Sequence, residues 1–452
     1  MSSLTKIVKI VFLLLLIWAI TKFTNGYYAL PFWGVLFLTN KFSNFEYLSI
    51  LVCTELYSGI DTLTFGPISI IQIIAIFILF NILKNVRRES LSLLRSKLFF
   101  YLFLMFLYFS FSFYSYYSTV TLSVINWFFI FLLTIMSFNG EKKQLLFFSW
   151  LYVVSVFAVV LQIFIIQVYF YPDFTLAKQF AVTNSNHIGF GCIISLLLII
   201  LLNGFSSFKQ QRLLKGFFYF FLIYIIFSGS RLNITMMFLL LLFLLVKPIK
   251  TFWITRKILI KLFLFSSLVL IFIGGVSNVF FRNNEDKGLS KLELSELGDL
   301  KDGDLGSFTS GRSVIYFDAI ELIKEKTVFG TGFLSWNDKN NSYNSIITSG
   351  DGGRISMHSA FLQYWAETGI IGLLLYLMYL FGISRIGKKI FKIKNRFYYL
   401  SGKIIFYIPV FLFLGGTLDN HSLNLGLIHL IAGIGLVLLK KQNDDKKYII
   451  LH

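Results

Sequence analysis

Two arginines stand at positions where a chain rich in apolar segments could bind an anion. Arg231, in the sequence SGSR, lies between two long apolar segments, and an arginine near the membrane plane is costly unless it is paired or contacts a ligand. Arg312 follows Ser310-Gly311 and would open a helix, where backbone N–H groups and a guanidinium together favour a phosphate. Each arginine also has a plainer explanation, as an interfacial anchor or as a solvated surface charge.

A histidine and several other polar residues stand at further segment ends. His358, in SMHSAFLQYWAETG, precedes an apolar segment that contains Glu367. Histidine can act as a general base near neutral pH, although a single interfacial histidine is more often a hydrogen-bonded structural residue. Asn186, in TNSNHIG, and Asp419 and His421, in DNH, could line the same site or simply cap helices.

The elements that must position these residues are apolar helices. Of the 452 residues, 56% are hydrophobic and 14% are charged, whereas soluble globular proteins carry about 25% charged residues. Apolar stretches recur at the length of roughly 20 residues that crosses a hydrocarbon core. The twelve clearest are residues 7–20, 65–83, 98–117, 119–137, 144–169, 187–203, 215–229, 232–248, 258–279, 364–383, 398–416 and 423–439. The composition therefore excludes a soluble globular protein.

Two weaker apolar stretches lie within residues 27–59, where Pro31, Lys41, Glu46 and Glu55 interrupt them. They are either two short spans or an excursion at the membrane interface. The sequence therefore predicts an all-α polytopic membrane protein with 12 to 14 transmembrane helices.

The distribution of basic residues predicts the topology. The net charge of +19, from 41 Lys and Arg against 22 Asp and Glu, would raise nucleic acid as a partner of a soluble protein. In this chain the basic residues cluster in every second loop, which is typical of loops kept in the cytoplasm. We therefore expect cytoplasmic termini and no nucleic acid partner. Residues 282–357, with more than half of the acidic residues, would form one large extracytoplasmic loop between the membrane segments 1–281 and 358–452.

This loop contains one segment with helical periodicity. Residues 311–326 place apolar side chains near helical spacing, and we expect a short amphipathic helix at the membrane surface with Ser310 as its N-cap. A glycine-interrupted turn, VFGTGF at residues 328–333, and a polar stretch follow. The two cysteines and five histidines are scattered, so the sequence predicts neither a disulfide framework nor a metal centre.

The order of these elements resembles the O-antigen polymerase and ligase superfamily. A Ser-Arg pair ends a middle span, S-G-R-x3-aromatic-x2-A and G-x-G lie in the outer loop, and H-[S/N]-x2-L-x4-E-x-G enters the next span. The matching residues are Ser230, Arg231, Ser310, Gly311, Arg312, Tyr316, Ala319, Gly330, Gly332, His358, Ser359, Leu362, Glu367, Gly369 and Gly372. The resemblance runs from about residue 180 to 440. Ser359 departs from the pattern, because Asn often stands there in the family.

The resemblance implies a GT-C-like fold and a metal-independent glycosyltransferase without a cofactor. It would take a glycan from a polyprenyl-pyrophosphate carrier on the extracytoplasmic face of the bacterial cytoplasmic membrane. Arg231 and Arg312 would bind the donor pyrophosphate, and His358 would be the catalytic base that activates the acceptor hydroxyl. The residues expected to line the site are Ser230, Tyr316, Glu367, Asn186, Asp419 and His421.

Two activities within the superfamily stay open. A polymerase joins lipid-linked repeat units into capsule, exopolysaccharide or O-antigen, whereas a ligase moves a finished chain onto lipid A core, and the wider use of polymerases favours the first. A flippase or exporter is the alternative of a different class, but transporters favour internal repeats, and we find none between the two halves. The expected partners are the lipid-linked donor and acceptor glycans and the bilayer. A chain-length regulator and a flippase are further candidates.

Overall fold

The apolar segments fold into α-helices, because a backbone inside a membrane has to satisfy its polar groups within its own segment. The computed structural model describes residues 2–23, 26–38, 42–57, 64–65, 68–69, 76–77, 79–80, 92–111, 117–169, 185–227, 231–246, 260, 264, 312–333, 359–416 and 426–450. Within these residues there are thirteen α-helices, one 3-10 turn at Gly26–Ala29 and one short hairpin.

The helices are numbered in the order in which they follow one another along the chain. They are α1 (Ser2–Phe23), α2 (Leu30–Leu38), α3 (Asn44–Thr54), α4 (Lys97–Phe111), α5 (Tyr117–Ser137), α6 (Lys142–Tyr169), α7 (Ser185–Asn203), α8 (Phe208–Phe227), α9 (Arg231–Val246), α10 (Arg312–Glu325), α11 (Ala360–Phe391), α12 (Arg396–Gly416) and α13 (Gly426–Ile450). Among the described residues, four segments are long and apolar enough to cross a membrane. These are Leu4–Thr21, Lys142–Ile163, Ala360–Phe391 and Arg396–Gly416. The chain is thus a helical integral membrane protein.

Ten of the twelve predicted spans coincide with a helix. The stretch at 65–83 differs, because strand β1 (Thr64–Phe65) pairs antiparallel with β2 (Ile68–Ser69) at its start. The two residues between the strands are Gly66 and Pro67, and a Gly-Pro pair favours a turn over a helix. The stretch at 258–279 lies outside the described residues apart from 260 and 264.

Loops that carry basic residues meet at one end of the bundle. The Lys441 ammonium donates to the carbonyls of Asn139 (3.4 Å) and Gly140 (3.5 Å), just after α5 ends. Lys440 donates to the Ser92 hydroxyl at 2.8 Å, just before α4 begins. The last turns of α13 therefore lie beside the end of α5 and the start of α4.

Further contacts extend this end of the bundle, which we call the basic end. Lys142, at the start of α6, places its ammonium 4.1 Å from the ring centre of Phe205, in the turn after α7. The Phe205 ring lies 6.2 Å from that of Phe397, at the start of α12, and Lys6 of α1 lies 5.6 Å from the ring of Phe147 of α6. Because α7 and α11 end here while α8 begins here, the helices α7, α9, α11 and α13 all begin towards the opposite end.

The second of the two weak stretches forms α3, which enters the bundle. Phe42, just before α3, lies 4.3 Å from the Lys6 ammonium at the basic end, and Glu46 pairs with Lys6 at 3.2 Å. Just past the end of α3, Glu55 accepts hydrogen bonds from the backbone N–H of Gly426 at the start of α13. The helix α3 therefore runs from the basic end into the bundle, although α2 and α3 have only 9 and 11 residues.

The predicted loop helix is α10, and three apolar residues of its later turns are buried against α11. A small hydrophobic cluster joins α10 to the first turns of α11, separate from the large cluster that fills the bundle. Its members are Ala319, Leu322, Ile323 and Ala366, with Leu362 and Trp365 packed against them. These residues of the predicted apolar face pack on α11, and the expected position of the helix at the membrane surface stays a prediction.

Candidate active site

The helix α11 is broken at Gly369, and the turn after α10 docks into the break. Gly369 has φ 66° and ψ −175° inside the helix, a region of backbone conformation that only glycine adopts readily. The Thr331 N–H donates to the carbonyl of Ala366 at 3.0 Å, and the Gly332 N–H donates to that of Glu367 at 2.7 Å. The turn thus supplies donors to carbonyls of α11 at the break.

A third hydrogen bond runs the other way and completes what we call the joint, residues 327–332 with 366–370. The Ile370 N–H, which a continuous helix would direct to residue 366, donates instead to the Thr327 carbonyl at 2.9 Å. A Cβ atom on Gly330, where φ is 70°, would collide with the backbone of residue 367. One on Gly369 would collide with the Val328 carbonyl and lie 2.6 Å from the Phe329 nitrogen. The G-x-G and E-x-G motifs are therefore two halves of one close backbone contact.

Aromatic contacts fix the joint to the bundle. The Phe333 ring stacks on Phe109 of α4 with 4.7 Å between centres, and it meets Trp127 of α5 edge-on at 5.7 Å. The Tyr108 hydroxyl of α4 donates to the Thr368 carbonyl at 2.8 Å. Because α4 and α5 both belong to the bundle, the loop helix α10 has a defined position relative to the membrane helices.

The helices α10 and α11 leave the joint in the same direction. Thr327, after the end of α10, bonds to Ile370, just past the break that ends the first segment of α11. The preceding turns, residues 319–323 and 362–366, pack together in the small cluster. Since the helices are joined at these ends and packed along the turns before them, their N-terminal ends lie on the same side of the joint.

Those two N-terminal ends carry two of the predicted functional residues. Arg312 is the first residue of α10. Ser359 is the N-cap of α11, and its hydroxyl accepts a hydrogen bond from the Leu362 N–H at 3.4 Å, so His358 directly precedes the cap. Asn is an equally good N-cap, which explains why Ser and Asn can alternate at this position.

The starts of α7 and α9 are packed against each other. Asn186 is the second residue of α7 and Arg231 is the first residue of α9. Near these positions the buried Asn233 amide touches Gly189, where any Cβ atom would collide with it. Gly189 is the glycine of the NSNHIG sequence. The close contact therefore holds Arg231 and Asn186 at neighbouring helix starts.

The end of α12 connects α9 with the start of α11. The Met236 Cε atom of α9 would lie 3.6 Å from a Cβ on Gly415. The Phe413 ring of α12 lies 5.0 Å from the Phe361 ring, in the first turn of α11. The helices that follow Arg231 and His358 thus begin on opposite sides of the last turns of α12.

Residues just past α3 hold the start of α13 beside α7. Both carboxylate oxygens of Glu55 accept from the Gly426 N–H, at 3.1 and 2.9 Å. Leu56, the next residue, approaches Gly191 of α7, with 3.7 Å between its Cδ2 atom and a Cβ built on the glycine. The N-terminal third of the chain therefore helps to build the end of the bundle where these helices start.

Comparison with known families agrees with this assembly. Residues 216–377 match the family model described as O-Antigen ligase, Wzy_C, over about a third of the chain. The resemblance to the O-antigen polymerase and ligase superfamily is confirmed. The match includes Arg231, Arg312, His358 and both halves of the joint, and it crosses the predicted boundaries at residues 281 and 357. Members of this family are membrane enzymes of the glycosyltransferase or ligase type. No curated protein matches the chain.

The remaining residues of the superfamily pattern fall in different places. Outside the described residues lie Ser230, His358, Asp419 and His421, and so do the side chains of Asn186, Arg231 and Arg312. Tyr316 is half-buried on α10, one turn after Arg312. Glu367 is fully buried, and its carboxylate accepts a hydrogen bond from the Gln363 amide at 3.0 Å. The Glu367 side chain is therefore packed inside the protein at the joint. Its expected role in lining the site stays a prediction.

Two features of the end of the bundle opposite the basic end were not among the predicted site residues. Glu55 is a carboxylate within an apolar stretch, and such residues are costly in a membrane unless they are paired or functional. A glutamate at this position could therefore have been predicted to have a partner. The pairing of residues 327–332 with 366–370 has a weaker signal, namely the glycines alone.

The helix starts at this end favour an anionic ligand. The first turns of α7, α9, α10 and α11 contain no acidic residue, so the positive ends of their dipoles are not offset there. Among the described residues, no group of three or more His, Cys, Asp or Glu could hold a metal ion. An anion at any of these helix starts would meet backbone N–H groups.

Proposed function

We propose that this protein is a polysaccharide polymerase, a glycosyltransferase that joins polyprenyl-pyrophosphate-linked oligosaccharide repeat units. The observation that carries the proposal is the shared direction of three helices. The helices that start at Arg231, at Arg312 and directly after His358 all begin away from the basic end. The residues that the superfamily pattern selects would then face one substrate.

The basic end gives the orientation. Lys and Arg are retained in cytoplasmic loops, so we assign the basic end and both termini to the cytoplasm. The starts of α7, α9, α11 and α13 then face the extracytoplasmic side of the cytoplasmic membrane, where lipid-linked repeat units are polymerised.

The proposed reaction exchanges one bond at the anomeric carbon of the donor glycan. The bond to the pyrophosphate oxygen breaks and the carrier leaves with the bonding electrons, while an acceptor hydroxyl forms the new glycosidic bond. The proton of that hydroxyl passes to His358. Negative charge grows on the leaving oxygen, where the fixed cations Arg231 and Arg312 stabilise it most in the transition state. Pyrophosphate leaves without protonation, so the step as proposed uses no separate acid, metal or cofactor.

The other predicted residues would surround this centre. Asn186 stands at the neighbouring start of α7, and Tyr316 lies one turn after Arg312 on α10. In the sequence, Ser230 directly precedes α9, and Asp419 and His421 fall between α12 and α13. We assign them to contacts with the glycan rather than to bond breaking.

A ligase is the second candidate, because the matched family is described as O-Antigen ligase. A ligase would use the same donor and the same chemistry, and it would differ only in the acceptor, a lipid A core in place of a second repeat unit. The joint and the helix starts described above serve either acceptor.

Substitution of the three central residues tests the chemistry. Arg231→Ala, Arg312→Ala and His358→Ala should each leave the protein in the membrane and abolish long polysaccharide in cells. Arg385→Ala is the matched control, because Arg385 is exposed near the basic end of α11 and should give polymer of normal length. Normal polymer from all three site variants would show that the assignment is wrong.

A deletion strain separates the candidate activities. Single repeat units on the lipid carrier would indicate a polymerase, and long chains that remain on the carrier would indicate a ligase. Repeat units trapped on the cytoplasmic face would instead identify a flippase and contradict the enzymatic proposal.

A further inference from the structure

Two cations from different parts of the chain meet over one aromatic ring at the basic end. The Lys142 ammonium lies 4.1 Å from the ring centre of Phe205, and the Arg396 guanidinium carbon lies 5.7 Å from the same centre. Each cation is attracted to the ring, but the two like charges repel each other. The turn after α7 therefore concentrates positive charge between the starts of α6 and α12.

A third cation lies deeper on the same side of α12. Lys403 is only 8% exposed, and its ammonium lies 4.6 Å from the ring centre of Tyr399. Lys403 follows Arg396 by seven residues, which is two helical turns and returns to the same helix face. Tyr399 lies between them, so the Lys403 ammonium extends back towards Arg396.

The carboxylate nearest to these three cations in the chain is that of Glu141, which directly precedes Lys142. Within the described residues, none of the three cations forms an ion pair with a carboxylate. Lys142 and Arg396 are the first residues of α6 and α12, whose first turns contain no acidic residue, and the positive end of a helix dipole adds to their charge. Lys441 is a useful contrast, because it donates to carbonyls at the end of α5, where a cation is favourable.

We propose that Lys142, Arg396 and Lys403 bind the phosphate headgroup of an anionic phospholipid. Lys142 and Arg396 are exposed at the basic end of the membrane helices, where an anionic leaflet attracts basic residues. The buried Lys403 extends the cluster by about 10 Å along α12, which is comparable with the headgroup layer of about 5–7 Å on each side of a bilayer. A headgroup phosphate near Arg396 would leave its glycerol and chains beside the apolar side chains below it.

Apolar residues pack around the cluster. Leu400 is buried against the backbone of Gly204, where a Cβ atom would collide with it, and Phe205 is half-buried beside Phe397. A lipid held here would contact the start of α6, the turn after α7 and the start of α12 together. It would brace three turns of the bundle independently of the reaction at the opposite end.

A lipid titration of the purified full-length protein tests this proposal. Phosphatidylglycerol or phosphatidylcholine is added to the protein in a neutral detergent, and the thermal unfolding midpoint and the apparent Kd are measured. Phosphatidylglycerol should stabilise the wild type more than phosphatidylcholine does. Lys142→Gln and Arg396→Gln should each weaken phosphatidylglycerol binding about fivefold, as expected for one basic residue at a membrane surface.

Matched variants separate a specific site from general surface charge. Lys143→Gln makes the same charge change on the neighbouring exposed residue and should have little effect, whereas Arg396→Lys should keep most of the affinity. Lys403→Gln should weaken phosphatidylglycerol binding if the mutant retains its unfolding transition without lipid. Equal losses for Lys142→Gln and Lys143→Gln would overturn the proposal, and so would equal stabilisation by inorganic phosphate.

Discussion

Replacing Gly369 by Ala should uncouple the loop helix α10 from α11. The φ of 66° and ψ of −175° at Gly369 are conformations that cost other residues about 1–3 kcal/mol. The added Cβ would also collide with the Val328 carbonyl. The docked turn would have to move, with the loss of three backbone hydrogen bonds at the joint. Each such bond contributes about 0.5–1.5 kcal/mol net, so the three bonds favour docking by roughly 1.5–4.5 kcal/mol, which the backbone strain and the collision of the new Cβ would largely offset.

The bundle itself should survive this change. The small cluster between α10 and α11 is separate from the large cluster that fills the bundle. The protein should therefore reach the membrane at a normal level, while the position of α10, which begins at Arg312, would no longer be fixed relative to α11. Polysaccharide from complemented deletion cells, separated by length on a gel and normalised to the amount of protein in the membrane, should lack long chains.

Two further variants make this experiment decisive. Gly216→Ala is the control, because a Cβ at Gly216 meets nothing within 4 Å, and Ala is favoured over Gly in a helix. Gly330→Ala disrupts the joint from the side of the turn after α10. Because both changes break the same contact, the double variant should reduce long-chain polymer little more than either single variant does. Long chains at wild-type abundance from Gly369→Ala would refute the reasoning, and so would a loss of membrane protein as large as the loss of polymer.

Three other predictions concern the neighbouring helix starts. Gly189→Ala should displace Asn233 and reduce polymer per inserted protein, because the new Cβ collides with that amide; unchanged polymer would argue against a shared site at these helix starts. Ser359→Asn should retain full activity, whereas Ser359→Ala should lose about 1 kcal/mol of stability with the cap, measured as a lower unfolding midpoint. Glu55→Ala should lower the same midpoint by the equivalent of about 1–2 kcal/mol, because it removes the carboxylate from the start of α13. An equal effect of Glu321→Ala, at an exposed residue in the interior of α10, would contradict that cause.

Most helices could be predicted from the sequence because the apolar composition of each segment is enough to determine its secondary structure in a membrane. A run of about 20 apolar residues has a single stable form in a bilayer, so ten of the twelve predicted spans contain a helix. Alternation of basic loops predicted which helix ends lie together, and the contacts of Lys142 and Lys441 bring such loops to one end. The hairpin at residues 64–69 was missed because hydropathy outweighed the local signal of Gly66-Pro67.

The contacts that build the candidate site could not be read from local patterns. Glu55 and Gly426 are 371 residues apart, and their hydrogen bond depends on how α3 is packed between α6 and α13. The need for glycine at 330 and 369 becomes visible only when two backbone segments approach each other. The family motif gave the residue types at both positions, but it did not give their pairing.

The distribution of charge at helix starts indicates where the substrate's phosphates would bind. The start of α13 already has a carboxylate, that of Glu55, on its first N–H group. The starts of α9, α10 and α11 have no acid in their first turns, and α11 is capped by the neutral hydroxyl of Ser359. A pyrophosphate would be repelled by Glu55 and attracted to the other three starts. In the proposed function the anion would therefore lie on the α9 to α11 side of this end, where Arg231 and Arg312 begin their helices.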